Sequence, residues 1–231
     1  MKFYTNVQLI GNQFLVRGVE NGRRYETRDD FRPTLFVKSK RDTKYKTLTG
    51  EPVEPIQPGN VRDCRNFYKK YEDIDGFDIY GNDRYIYQYI SEKYPQDEIK
   101  FDISQIKLVT LDIETTAEKG FPDVESASEE ILAITIQDYT TKQITTWGVK
   151  PFVNKQKNVI YHHCPTEQHL LSSFIQYWMQ DVPDVVTGWN IQLFDIPYIC
   201  KRLDRVLGEK LMKRFSNWGL VSEGKIFIQG R

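Results

Sequence analysis

The chain has 231 residues, 39% of them apolar, with 14 glycines and 32 basic against 32 acidic side chains, which is the composition of a folded globular chain and excludes a disordered one. No run approaches the roughly 18 continuous apolar residues of a membrane-spanning helix, and the start MKFYTNVQLIG lacks the apolar core of a secretory signal. Zero net charge leaves no global field for nucleic acid, so any such binding is local, and three scattered cysteines, Cys64, Cys164 and Cys200, suit a reducing compartment better than a disulfide framework.

The first forty residues predict a meander of short strands: FYTNVQLI, a turn at Gly11-Asn12, QFLVRGVE, an Asn21-Gly22 turn, RRYETRDDF and TLFVK. Asn-Gly readily takes the positive φ of a tight hairpin. From Thr49 to Gly59, prolines at 52, 55 and 58 predict an extended connector. Helical spacing marks Val61 to Tyr71 and Asp83 to Tyr94, the second with Asn82 as a cap and with Tyr85, Ile86, Tyr89 and Ile90 as a core-facing stripe.

Near residue 103 the order changes to alternating strand and helix, which places a domain boundary between 1–103 and 104–231. IKLVTLDIE (106–114) reads as a buried strand, ILAITIQDY (131–139) and KQITTWGV (142–149) as a hairpin, and NVIYHH (158–163) as a further strand. A helix follows from Thr166, its cap, to Met179; DVVTGWN (184–190) is a strand running into a second helix, Asp195 to Leu207. The fold class is therefore α/β (α+β overall), a mixed sheet with helices on its faces behind a β-rich N-terminal domain.

Residues 17 to 46 hold ten basic side chains against five acidic. That local excess reads either as a solvated hairpin face that blocks edge pairing or as a nucleic-acid patch, with Lys38, Lys40 and Arg41 as its candidate contacts. His162, His163, Cys164 and His169 have the composition of a zinc cluster, but adjacent strand residues point to opposite faces. Trp147, Trp178, Trp189 and Trp218 are expected as core anchors.

The chemistry-bearing residues are Asp112, Glu114 and Asp195. Two apart in an apolar strand, Asp112 and Glu114 share a face. Paired carboxylates are costly to desolvate without a cation between them, and oxygen-only ligands favour Mg²⁺ or Mn²⁺ over zinc. Asp195 opens a helix, where the macrodipole favours an acid on any reading.

At LDIETT (111–116) and GWNIQLFDIPYI (188–199) the chain resembles the 3′→5′ proofreading exonuclease of B-family DNA polymerases. MKFY, RPTLFV (32–37) and GFP (120–122) are similar to the N-terminal part of the replicative polymerases of T-even-like bacteriophages. The resemblance implies an RNase H-like exonuclease domain acting in the cytoplasm of an infected bacterium. Its partners would be single-stranded and primer-template DNA, the remaining polymerase domains, and RNA at the N-terminal domain.

The resemblance also implies two Mg²⁺ (or Mn²⁺) ions, with Asp112 bridging them, Glu114 on the nucleophile side and Asp195 on the second. Phe121 and Phe194 would stack on or wedge terminal bases, Asn190 would hydrogen-bond the strand, and Thr115 would supply a backbone contact. One departure stands out: the family's third motif, YxxxD, is missing. The only aspartate after Asp195 is Asp204, with Cys200 where the tyrosine belongs, and the chain runs to a strand-like KIFIQGR. The expectation is a polymerase fragment whose exonuclease activity is weak or absent. Two other readings stay open, a nucleic-acid-binding module with idle carboxylates and a structural piece that docks onto a separate polymerase chain.

Overall fold

Turn chemistry organises the start of the chain. Asn21 at φ 52° and Gly22 at φ 77° supply the two left-handed residues of a hairpin turn, so β1 (Lys2–Ile10), β2 (Gln13–Glu20) and β3 (Arg23–Asp30) form an antiparallel meander in that order. This computed structural model describes residues 2–81, 83–95, 100–118 and 120–224, and the chain divides into two units, Met1–Gln105 and Ile106–Arg231.

In the first unit β2 is the middle strand, and the core includes its Phe14 and Val16 with Phe31, Val61, Tyr85 and Tyr89. The Phe14 and Tyr89 rings stack 4.6 Å apart, with Phe31 edge-on to both. Helix α1 (Val61–Tyr71) begins on a capping box in which the Asn60 side chain accepts the N–H groups of Arg62 and Asp63, and Asp63 accepts that of Asn60. Tyr85 and Tyr89 of α2 (Tyr85–Lys93) are buried, as the core-facing stripe predicted. The expected cap, Asn82, lies outside the described residues, and Arg84 at the N-cap position makes no side-chain cap bond.

The proline-rich stretch 49–59 is more than a connector. It contains β6 (Pro52–Ile56) in a second sheet with β4 (Leu35–Lys38), β5 (Tyr45–Lys46) and β7 (Ile79–Tyr80), in the order β5-β6-β4-β7. Pro55 is tolerated because it pairs with Phe36 on one side while β5 reaches only Pro52 and Val53 on the other, so at Pro55 the strand is an edge.

The second unit is a five-stranded mixed sheet in the order β11-β10-β9-β8-β12. Its strands are β8 (Leu108–Thr115), β9 (Ile131–Asp138), β10 (Ile144–Gly148), β11 (Val159–His163) and β12 (Val185–Thr187). Strands β8, β9 and β10 are antiparallel neighbours, while the edge strands pair in parallel, β11 with β10 and β12 with β8. The strand expected over 184–190 is thus only three residues long, because the chain turns away at Gly188.

Helix α3 (Glu167–Gln180) is capped by Thr166, whose hydroxyl accepts the His169 N–H at 3.2 Å. Its Leu170, Phe174 and Trp178 share one core with Leu111 and Ile113 of β8, Trp147 of β10, and Tyr198 and Leu203 of α4 (Asp195–Leu207). Each such buried large apolar side chain contributes about 1.5–3 kcal/mol over its exposed state. A short helix α5 (Glu209–Met212) follows. Trp147 and Trp178 are core anchors, as expected. Trp189 is not: it is 92% exposed, because the turn that carries it stands off the sheet. No helix of the described residues is long and apolar enough to cross a membrane.

Candidate active site

Strand β8 separates its residues cleanly. Val109, Leu111 and Ile113 are buried on one face, while Thr110, Asp112 and Glu114 are exposed on the other, so the period-two pattern that builds the core also delivers two carboxylates to solvent. A register shift between Glu114 and Thr115 ends the regular ladder directly after them. Thr115 is half-buried at that strand end.

The second motif is drawn onto this strand by two close contacts. Gly188 follows β12, and a Cβ there would fall 2.4 Å from the Leu111 carbonyl oxygen, so only glycine permits the approach. Asn190, at φ 52°, closes the next turn by accepting the N–H groups of Leu193 and Phe194, each at 3.0 Å. The chain thereby enters α4 with Asp195 in its first turn, only 3% exposed. Asp195 Oδ1 accepts the backbone N–H of Ile113 at 3.2 Å, the residue between Asp112 and Glu114. The structure thus brings Asp195 against the stretch of β8 that carries Asp112 and Glu114, with the Asp112 charge close enough to act on it.

Electrostatics at the patch are one-sided. Burial pushes the Asp195 carboxyl above the ordinary carboxylate range, and the nearby Asp112 charge adds to the rise, while N–H groups of Ile113 and of Asp195 itself oppose it. Among the described residues no Lys, Arg or His lies within ion-pair distance of Asp112, Glu114 or Asp195. An oxygen-only donor set with an acid raised by burial and, to a smaller extent, by the Asp112 charge is an environment that a hard divalent cation relieves. Among the described residues, however, no three His, Cys, Asp or Glu side chains converge closely enough to hold an ion as they stand. The donor chemistry fits; a closed cage is absent.

Asp204 does not supplement the set. Nine residues after Asp195 on the same helix, it lies about 13 Å along the axis and half a turn around it, where it is exposed. Cys200 sits in partly apolar surroundings that push its thiol up to about 11. His162 stacks against Trp147 and Cys164 is buried, while His163 and His169 are exposed; among the described residues these four do not gather into a metal-holding group.

Aromatic surfaces border the carboxylates. Phe121, 84% exposed, lies 5.2 Å from Phe194 between ring centroids, and Phe194 stacks in turn on Tyr198 at 5.3 Å. Pro122, next in the chain to Phe121, is buried. Asn190 is exposed on the adjoining turn. Trp189, expected in the core, adds an outward-facing ring between Gly188 and Asn190; the signal for it was its place between two turn-forming residues.

The basic candidates belong to the first unit. Lys38 Nζ stands 3.6 Å from Glu51 and 3.7 Å from Asp78, which offset its charge. Lys40 and Arg41 are exposed in the turn after β4, with no ion pair among the described residues.

A family model described as DNA polymerase family B, exonuclease domain, matches residues 60–230. The chain is 32% identical over 246 aligned positions to the DNA-directed DNA polymerase of Enterobacteria phage T4, with 95% of this chain and 27% of that protein covered. It is 30% identical to the DNA-directed DNA polymerase of Escherichia phage RB69, over 93% of this chain and 27% of that protein. A DNA polymerase catalytic subunit of Saimiriine herpesvirus 2 (strain 11) is 28% identical over 52% of the chain. The chain spans 27% of the length of the two phage relatives.

Proposed function

The chain belongs to the exonuclease-domain family of the family B DNA polymerases, and from that premise we propose that residues 104–231 form a 3′→5′ exonuclease domain that trims single-stranded DNA, behind an N-terminal β-rich domain of residues 1–103. The supporting observation is the hydrogen bond from Ile113 N–H to Asp195 Oδ1, which joins the two motifs at their acids. In this reading the chain is the proofreading part of a phage replicative polymerase in an infected bacterium, with primer-template DNA and the remaining polymerase domains as partners.

The residues divide the work by position. Asp112 and Glu114, from the exposed face of β8, and Asp195, from the helix start, present the oxygens that would hold divalent cations. When bound, such ions supply Lewis acidity toward the phosphodiester and a nucleophile at neutral pH. Phe121 and Phe194 offer flat faces to terminal bases, which suits a sequence-indifferent single-strand reader. Asn190 presents hydrogen-bonding groups to the strand on the adjoining turn, and Thr115 presents its backbone at the end of β8.

With three carboxylates and Asp204 turned away, a polypeptide of residues 1–231 binds Mg²⁺ weakly, because Mg²⁺ dehydrates reluctantly and wants a near-ideal set. Mn²⁺ suits the same ligands and occupies the site better. The test is degradation of a 5′-labelled single strand with each metal. The expected result is slow shortening from the 3′ end with Mn²⁺, less with Mg²⁺ and none after Asp112→Ala. Salt-dependent binding with no cleavage in either metal would leave a nucleic-acid-binding module instead.

A further inference from the structure

The segment from Thr116 to Glu130 joins the carboxylate strand to β9 and carries Phe121. It is not left to its own turns. Ser126 N–H donates to Asp123 Oδ2 and Ala127 N–H to the Asp123 carbonyl, both at 2.8 Å, and the buried Ala127 then takes φ 37°, a left-handed backbone that a residue with a Cβ adopts only when its surroundings impose it.

What imposes it is α4. Arg202 Nη1 and Arg205 Nη1 both donate to the Ala127 carbonyl, at 2.9 and 2.7 Å, and Arg205 Nη2 donates to that of Ser126. Arg202 forks onto Glu167 of α3 through Nε, at 2.7 Å, and Nη2, while Glu167 Oε1 also accepts the Ile131 N–H at 2.8 Å. Arg202 is 5% and Glu167 7% exposed. One helical turn earlier, Tyr198 Oη donates to the Glu129 carbonyl at 2.8 Å, beneath the Phe194 ring that Phe121 leans on.

Asp195, Tyr198, Arg202 and Arg205 fall at i, i+3, i+7 and i+10, one face of one helix. We infer that this face is a ruler: the Arg202–Arg205 grip on the carbonyls of Ser126 and Ala127, anchored by Glu167, positions Phe121 relative to Asp195 and so sets where a 3′-terminal base stacks. A buried ion pair is weak evidence for stability, because hydrophobic replacements of similar volume do as well or better. This one moreover holds a strained residue. Its yield is placement of the segment that leaves Glu114. Arg202 and Arg205 are positioning residues that act through Phe121, and the inference rests on the exonuclease reading of the patch.

The test uses the full chain with two substitutions of different severity. Arg202→Lys keeps a cation for Glu167 but loses the fork and the second donor. Arg205→Ala removes the exposed grip and leaves the buried pair intact, so it stays folded even where Arg202→Lys does not. The first readout is amide exchange in the free protein: the Ser126 and Ala127 amides exchange at least tenfold faster in the variants, with β8 and β9 amides unchanged. The second is the fluorescence of a single strand carrying 2-aminopurine at the 3′ end or internally. Stacking quenches the terminal probe in wild type, Phe121→Ala removes that quenching, and Arg205→Ala and Arg202→Lys each remove at least half of it while the internal probe is unaffected. Unchanged exchange at residues 126 and 127 overturns the clamp. Faster exchange with intact terminal quenching overturns its positioning role. Wild type without any terminal quenching that Phe121→Ala abolishes overturns the DNA reading itself, and the positioning role with it.

Discussion

In the first unit many acids and bases meet: Lys38 stands between Glu51 and Asp78, Arg17 reaches Glu26, and Lys93 reaches Asp29, though Lys40 and Arg41 make no ion pair among the described residues. In the second, Asp112, Glu114 and Asp195 lie on or against β8 and pair with no basic side chain of the described residues. Both regions looked like candidate sites in the sequence, one by excess of base and one by spacing of acid. Charge that finds a partner within the fold is surface structure of small net effect; acids held near one another without a basic partner are the feature on which the proposed cation site rests.

The largest expected effect falls on the unpaired acids. Asp112→Ala should cut Mn²⁺-dependent shortening of a single strand by roughly 10³-fold or more, on the scale of losing a major electrostatic element, while stability changes by less than about 0.5 kcal/mol because the side chain is exposed. Thermal melting beside a rate measurement checks both halves. A variant that melts early and loses activity in step would break the contrast.

Arg202→Ala should act first on stability. It strands the buried Glu167, which costs about 3–5 kcal/mol and is read as a lower denaturant midpoint with an unchanged slope.

Asp195→Asn sharpens the comparison through pH. The folded-state value of Asp195 is raised above its unfolded one, so the folded protein pays for the charged form at pH above the raised value and pays nothing below the ordinary carboxylate range. The variant should therefore melt higher than wild type at pH 7, with the gain shrinking through the carboxylate range and vanishing at pH 3. A gain that persists at pH 3 would mean that packing, not charge, is responsible.

The smallest effect is expected in the first unit. Lys40→Ala and Arg41→Ala should each flatten the dependence of log K on log salt for a single strand by roughly 0.7 if they meet phosphates, and Lys38→Ala by less, since Glu51 and Asp78 hold it. Slopes unchanged from wild type in all three variants would return the patch to a solvated face.

Local signals explain what was legible. Asn21-Gly22, the alternation around Asp112, Thr166 as a cap and the spacing of 195–207 act within a few residues, and the corresponding elements stand close to where they were read. Pairing decided the rest. Strand β6 exists because Phe36, nineteen positions upstream of Pro55, pairs with it, and a proline-rich segment announces no such partner. Trp189 resembled its three counterparts in composition; its exposure comes from Gly188 pressing on the Leu111 carbonyl, a contact between motifs far apart in sequence. The Glu167–Arg202 pair likewise joins two helices across a long separation. That Asp204 faces away from Asp195 needed only the helical period.

The central claim is that the unpaired carboxylates form a cation site, and Mn²⁺ titration of residues 1–231, followed by the electron paramagnetic resonance of the free ion, tests it most directly. Saturable Mn²⁺ uptake is expected at millimolar concentration or below, weakened at least tenfold by Asp112→Ala and by Asp195→Asn, with Asp204→Asn indistinguishable from wild type. Uptake that is equal in wild type and Asp112→Ala, or absent from wild type, would contradict it.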